Sequence, residues 1–167
     1  MIRVVVDDIA FVPTDAVLRP TTATLEPTVS SLRRLDDLAG ASFRQQISAG
    51  RELAVGSAVV TDAGELAADM IIHAVVRSVE EPVSECRVRQ ALTSALQRAD
   101  DWRLSKITTP PIGTGAGNLP IEESARIMVD VLARAMATAT YPKEVCIVVN
   151  GDEEKALFDA HLKRVPQ

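Results

Sequence analysis

Gly113, Gly115 and Gly117 stand at alternate positions in the stretch TTPPIGTGAGNLPIEE, residues 108–123, between a short apolar run and a long amphipathic pattern. Glycine reaches backbone conformations closed to other residues, and without side chains the loop lets an anion approach its peptide N–H groups. A helix beginning just beyond such a turn points the positive end of its dipole back at it. That chemistry suits a phosphate, although a glycine turn between strand and helix also serves as plain connection. Asp7-Asp8 follows the first apolar run and could accept hydrogen bonds from a ligand amino group, or form a turn. His73 has no second histidine or cysteine at ligand spacing and is expected to be a satisfied core residue. No Ser-His-Asp, Cys-His, H-E-x-x-H or clustered carboxylate pattern appears, so the spacing identifies no metal ligands, no covalent catalyst and no cofactor.

The elements that position these residues follow from periodicity. Ile2–Val6 is Val-rich without clean alternation, which predicts a strand buried on both faces, ended by Asp7-Asp8. Residues 15–18 predict a brief second strand punctuated by Pro13 and Pro20. Val29, Leu32, Leu35, Leu38 and Ala39 recur at helical spacing up to Gly40, and residues 43–48 form a further short turn. Strands are expected at 55–61 and 70–76, the second carrying His73. Val88, Ala91, Leu92, Ala95, Leu96, Ala99 and Trp102 mark a long helix, and residues 106–109 form the strand feeding the glycine loop. Pro120, Glu122 and Glu123 open a second long helix through Ile121, Ala125, Met128, Leu132 and Ala135. A strand at 145–149 and a last helix burying Ala156, Leu157, Ala160 and Leu162 complete the series. Strands alternating with long helices imply a largely parallel sheet covered on both faces, with ligands beyond the carboxyl ends of the strands.

Bulk properties narrow the functional classes. A chain of 167 residues suits a single domain spanning 1–167, and with aromatics at 3% its core must be aliphatic. The net charge of −5, with both signs interspersed, lacks the basic footprint of a protein that binds along nucleic acid, and Arg33-Arg34 reads as a solvated helix face. Cys86 and Cys146 match no metal spacing and read as free thiols. The apolar runs are far shorter than the roughly 20 residues of a membrane span, and the N-terminus has no signal-peptide pattern, so no membrane association and a cytoplasmic location are expected.

In their order along the chain, these motifs resemble the macro domain family. Asp8-Ile9-Ala10 is similar to its Gly-Asp-Ile-Thr, and Asp15-Ala16-Val17-Leu18 to its Asp-Ala-Ile-Val. The segment from Thr61 to Gly64, with Ile71-Ile72-His73-Ala74-Val75, resembles T-x-A-G followed by an I-H-A-V strand. The run from Pro111 to Pro120 resembles the family's second phosphate loop, and Ser124-Ala125 continues it into the expected helix. The resemblance implies a three-layer α/β/α sandwich with a mixed, mostly parallel central sheet, and a site for ADP-ribose. By position, Asp8 would contact the adenine amino group and Ile9 would offer a backbone N–H. Gly113, Thr114, Gly115, Ala116, Gly117 and Asn118 would wrap the diphosphate and distal ribose.

The family pattern is also broken in places. Where Asn-Ala-Ala-Asn would follow, the chain has Arg19-Pro20-Thr21-Thr22, so Thr22 replaces the asparagine that orients ribose and water in hydrolytic members. The glycine triplet of the first phosphate loop is replaced by Glu26-Pro27-Thr28, leaving only Val29, and Glu26 would bring negative charge toward the diphosphate. Near 150–152 no aromatic stands ready to stack on adenine. Arg19 would either oppose the diphosphate as a new cation or pair with Glu26.

Three readings follow from these matches and losses. The first is a domain binding ADP-ribose, a related nucleotide diphosphate or an ADP-ribosylated protein, without hydrolysis. The second is an ADP-ribosyl ester hydrolase or O-acetyl-ADP-ribose deacetylase using Thr22 or Asp36. The third is a fold whose pocket is filled by Arg19 and Glu26 and whose surface serves a protein partner or a homodimer.

Overall fold

The computed structural model describes residues 1–48, 50–115 and 118–166. Its strands are β1 (Ile2–Val6), β2 (Thr14–Thr22), β3 (Ala58–Asp62), β4 (Ala68–Arg77), β5 (Lys106–Thr109) and β6 (Glu144–Val149). Its helices are α1 (Ser30–Ala39), α2 (Ala41–Ser48), α3 (Glu85–Asp101), α4 (Ile121–Thr138) and α5 (Asp152–Leu162), with a 3-10 turn at Ile9–Phe11. The strands form one sheet in the order β1-β6-β5-β2-β4-β3. All neighbours run parallel except the β3–β4 hairpin.

Strand alternation divides the core between the two faces. Leu18, Ile72, Ala74, Ile107, Val145 and Ile147 pack with Leu92 and Leu96 of α3, Met128 and Leu132 of α4, and Phe158 of α5. On the opposite face, Val17, Cys146 and Val148 meet Leu35 and the 3-10 turn, while Ile71 meets Ala39 and Phe43. Each fully buried Leu or Ile side chain contributes roughly 1.5–3 kcal/mol through removal from water. The outcome is an α/β/α sandwich with a mixed sheet. No helix among the described residues is long and apolar enough to cross a membrane.

Several elements depart from the periodicity. β1 is an edge strand in which only Val4 is buried, so its Val-rich run is not covered on both faces. β2 is nine residues long and runs through Pro20, beyond the Leu18 limit. β5 pairs with β2 only at Ala16 and Val17, so Pro20 lies past the end of that ladder and its missing N–H interrupts nothing there. Residues 41–48 complete a helix rather than a turn. Trp102 falls just past α3 and is 53% exposed, so it does not extend the buried stripe. In α5 the buried residues are Phe158 and Leu162, whereas Ala156 and Ala160 face solvent.

Candidate functional site

A cleft of about 670 Å³ opens beyond the carboxyl ends of β1, β6 and β5. Asp7, Asp8 and Ile9 line it after β1, Pro110, Pro111 and Thr114 after β5, and Val148 and Asn150 at the end of β6. Val29, Ser31 and Arg34 enter from the start of α1, Ile121 from α4 and Glu154 from α5. The volume lies within the 300–1,000 Å³ typical of small-molecule sites, and the location is where ligands bind in parallel α/β sheets.

Local chemistry explains how each wall is held. Asp8 caps the 3-10 turn, its Oδ1 accepting the Ala10 N–H at 3.1 Å, while its Oδ2 is paired with Nη1 of Arg34. Arg34 also lies over the Phe11 ring, with its Cζ 5.6 Å from the centroid. Val29 is the N-cap residue of α1 and provides no side-chain acceptor; its carbonyl takes the Leu32 N–H at 3.2 Å, so the Ser30 and Ser31 amides are left to water or a ligand. Oε2 of Glu154 is a shielded carboxylate oxygen without a hydrogen-bond partner among the described residues.

The glycine loop is braced from within. Asn118 N donates to Gly115 O at 3.1 Å, Leu119 N to Gly113 O at 2.9 Å, and the Asn118 side chain donates to Thr114 O at 3.2 Å. Ser124 Oγ donates to Ile112 O at 2.7 Å, tying the loop to α4. Gly113 has φ +81, and a Cβ there would lie 2.8 Å from Val88 Cγ2, so it seats the loop against α3 behind the rim. Gly115 has φ +117, and a Cβ there would lie 3.1 Å from Thr28 O and 3.4 Å from Val29 Cγ1. This glycine is where the second loop meets the first. Ala116 and Gly117 lie outside the described residues.

Two expected ligand contacts are corrected by their surroundings. Arg19 is completely buried on the α1–α2 face, its Nε 2.8 Å from Asp36 Oδ1 and its Nη2 2.6 Å from Oδ2. It neither opposes a diphosphate nor pairs with Glu26. Thr22 lines a separate hollow of about 300 Å³ with Glu26, Glu52 and Arg77. The 22–26 turn closes on itself, Thr22 N donating to Glu26 O at 2.9 Å, which carries the Glu26 side chain away from the cleft. The cleft is therefore not filled by Arg19 and Glu26. Asp36, the alternative to Thr22 as a reacting group, is committed to Arg19; burial pushes its carboxyl above the ordinary range, against the opposing effect of the Arg19 hydrogen bonds.

The same arginine, with Thr61, satisfies His73, which is fully buried. Its Nδ1 lies 3.2 Å from Arg19 Nη1 and its Nε2 2.8 Å from Thr61 Oγ1. An arginine can only donate, so Nδ1 accepts, Nε2–H donates to Thr61, and the Thr61 hydroxyl passes on to Asp62 O at 3.0 Å. Burial, aided by the Arg19 charge, lowers the His73 pKa to about 3 from its ordinary 6.5. The unfolded chain then binds the proton first, so the stability tied to neutral His73 is complete above pH 6.5 and is lost as pH falls toward 3. Between pH 7 and 5 the protein is expected to lose about 2 kcal/mol from this group. Urea titrations of wild type and His73→Asn across that interval check it, the variant showing the flatter profile.

Arg34, Ser31 and Glu154 are the lining residues that periodicity did not single out. Ser31 and Arg34 stand three apart, which places both on one helical face near the start of α1, and Glu154 lies in the first turn after β6. The described residues contain no cluster of His, Cys, Asp or Glu able to hold a metal.

A mixed six-stranded sheet between helical layers, with an open cleft past the parallel strand ends, defines the class as an α/β/α ligand-site fold. The Macro domain family profile matches residues 33–128. An uncharacterized protein of Aquifex aeolicus is 36% identical over 120 residues, 70% of this chain and 70% of that one. An uncharacterized protein of Mycobacterium tuberculosis is 27% identical over 124 residues, covering 74% of this chain but 34% of the longer relative. The solved structure of an Oceanobacillus iheyensis macrodomain mutant with ADP-ribose superposes with a TM-score of 0.86 at 22% identity, over 96% of this chain and 90% of that one. The chain belongs to the macro domain family.

Proposed function

We propose that this protein binds ADP-ribose, free or attached to a protein, in the cleft between the glycine loop and the start of α1, and does not hydrolyse it. The observation that carries the reading is the convergence on one cleft of Asp8, the α1 amides and the Gly115 turn. Asp8 supplies a carboxylate acceptor for a base amino group, while the helix start and the glycine turn offer N–H groups to a diphosphate. Thr22 lies in another hollow and His73 is buried and neutral, so neither is available to orient or activate a water there. The ADP-ribose held by the Oceanobacillus relative is consistent with this choice of ligand.

Calorimetric titration with ADP-ribose, ADP and AMP tests the reading. Saturable one-to-one binding is expected, with ADP-ribose preferred and O-acetyl-ADP-ribose left intact on prolonged incubation. No heat at millimolar ADP-ribose would overturn the binding assignment, and turnover of the ester would overturn its non-hydrolytic part.

A further inference from the structure

We infer that Arg34 is the stacking platform for the base of the bound nucleotide, a specificity-determining role for a planar cation in a cleft with no aromatic lining residue among the described ones. The inference rests on the nucleotide reading of the cleft and deepens it. A guanidinium is flat and delocalised, and it stacks on aromatic and base faces in a way that an ammonium cannot.

The local construction fixes that plane. Phe11 lies against the guanidinium at 5.6 Å, and the Asp8 carboxylate holds one edge through Nη1. Asp8 is itself held by the Ala10 amide, in the same 3-10 turn that carries Phe11, so ring and carboxylate stand on one short turn. Arg34 lines the cleft and Phe11 does not, so the guanidinium, not the ring, is the flat group available to a base in the cleft. The Arg34 side chain is 59% exposed, leaving surface for a further stacked group. Asp8 retains lone pairs beyond those used by Ala10 and Arg34, so it can still accept from an exocyclic amino group. Purine edge and purine face are thus read by adjacent residues.

Arg34 is also the only cation among the described lining residues, beside Asp7, Asp8 and Glu154, so a purely electrostatic role in holding phosphate is the competing outcome. Titrations of wild type, Arg34→Ala and Arg34→Lys with ADP-ribose and with ribose 5-phosphate separate the two. Stacking predicts that both variants lose affinity for ADP-ribose by about tenfold or more. Ribose 5-phosphate, which has no base, binds all three proteins alike, and melting temperatures are unchanged. Near-wild-type affinity in Arg34→Lys, with losses for both ligands in Arg34→Ala, assigns Arg34 to phosphate and overturns the stacking role. Equal binding of ADP-ribose by all three proteins overturns it while leaving the nucleotide reading intact. A wild type that binds neither ligand removes both.

Discussion

Arg19→Met destabilises the protein by about 3–5 kcal/mol, the range for removing one partner of a buried ion pair. The variant leaves the buried Asp36 carboxylate without its partner and His73 Nδ1 without its donor, and the arginine's contact with Phe43 at 5.9 Å disappears as well. The pair ties β2 to α1, and through His73 and Thr61 the same hydrogen bonds reach β4 and β3. Urea unfolding at pH 7 measures the loss. The double variant Arg19→Met with Asp36→Leu is expected to recover most of it, because replacing both buried charges by apolar groups removes the desolvation penalty that the single variant exposes. A single variant within 1 kcal/mol of wild type would mean that Asp36 takes a proton or escapes to water when Arg19 is gone, so that no unpaired charge stays buried.

The Arg19 case also separates what could and could not be read along the chain. The long apolar stripes of α3 and α4 were legible because their pattern is local, repeating near 3.6 residues, and β1 was legible as a strand from its valine content although its burial was not. The glycine loop was legible because φ values of +81 and +117 require the residue type found there. Arg19 was ambiguous because its partner depends on which face of α1 lies over β2, and Asp36 stands 17 residues away. Glu26 looked like a charge aimed at the site, since the turn that carries it aside closes through the Thr22 N–H and the Glu26 carbonyl, backbone atoms common to every residue type, with the Thr22 hydroxyl accepting the Glu26 N–H in support. Pro20 looked like a terminator because a proline ends a strand only where its N–H is needed, and the short β5 ladder does not need it there. Arg34 was hidden by its own type. On a helix surface an arginine reads as solvated, and only the approach of Phe11 and Asp8 from the 3-10 turn makes it part of a wall.

Gly115→Glu abolishes measurable ADP-ribose binding, a loss on the order of a hundredfold from like charge placed against the diphosphate. At φ +117 any side chain is strained, which adds a stability cost of about 1–3 kcal/mol. The two effects differ in origin, and Gly115→Ala separates them. Its methyl group would meet Thr28 O at 3.1 Å, so the loops must part by a few tenths of an ångström without any change in charge. Gly50→Ala, whose new methyl group would have nothing closer than Ile47 O at 3.9 Å, provides the control with neither effect. If Gly115→Ala weakens binding nearly as much as Gly115→Glu, closure of the two loops controls affinity. If only the glutamate does so, the site depends on the potential around Gly115, and the α1 amides opposite it carry the phosphate. Equal binding by all three variants would place the diphosphate away from this turn.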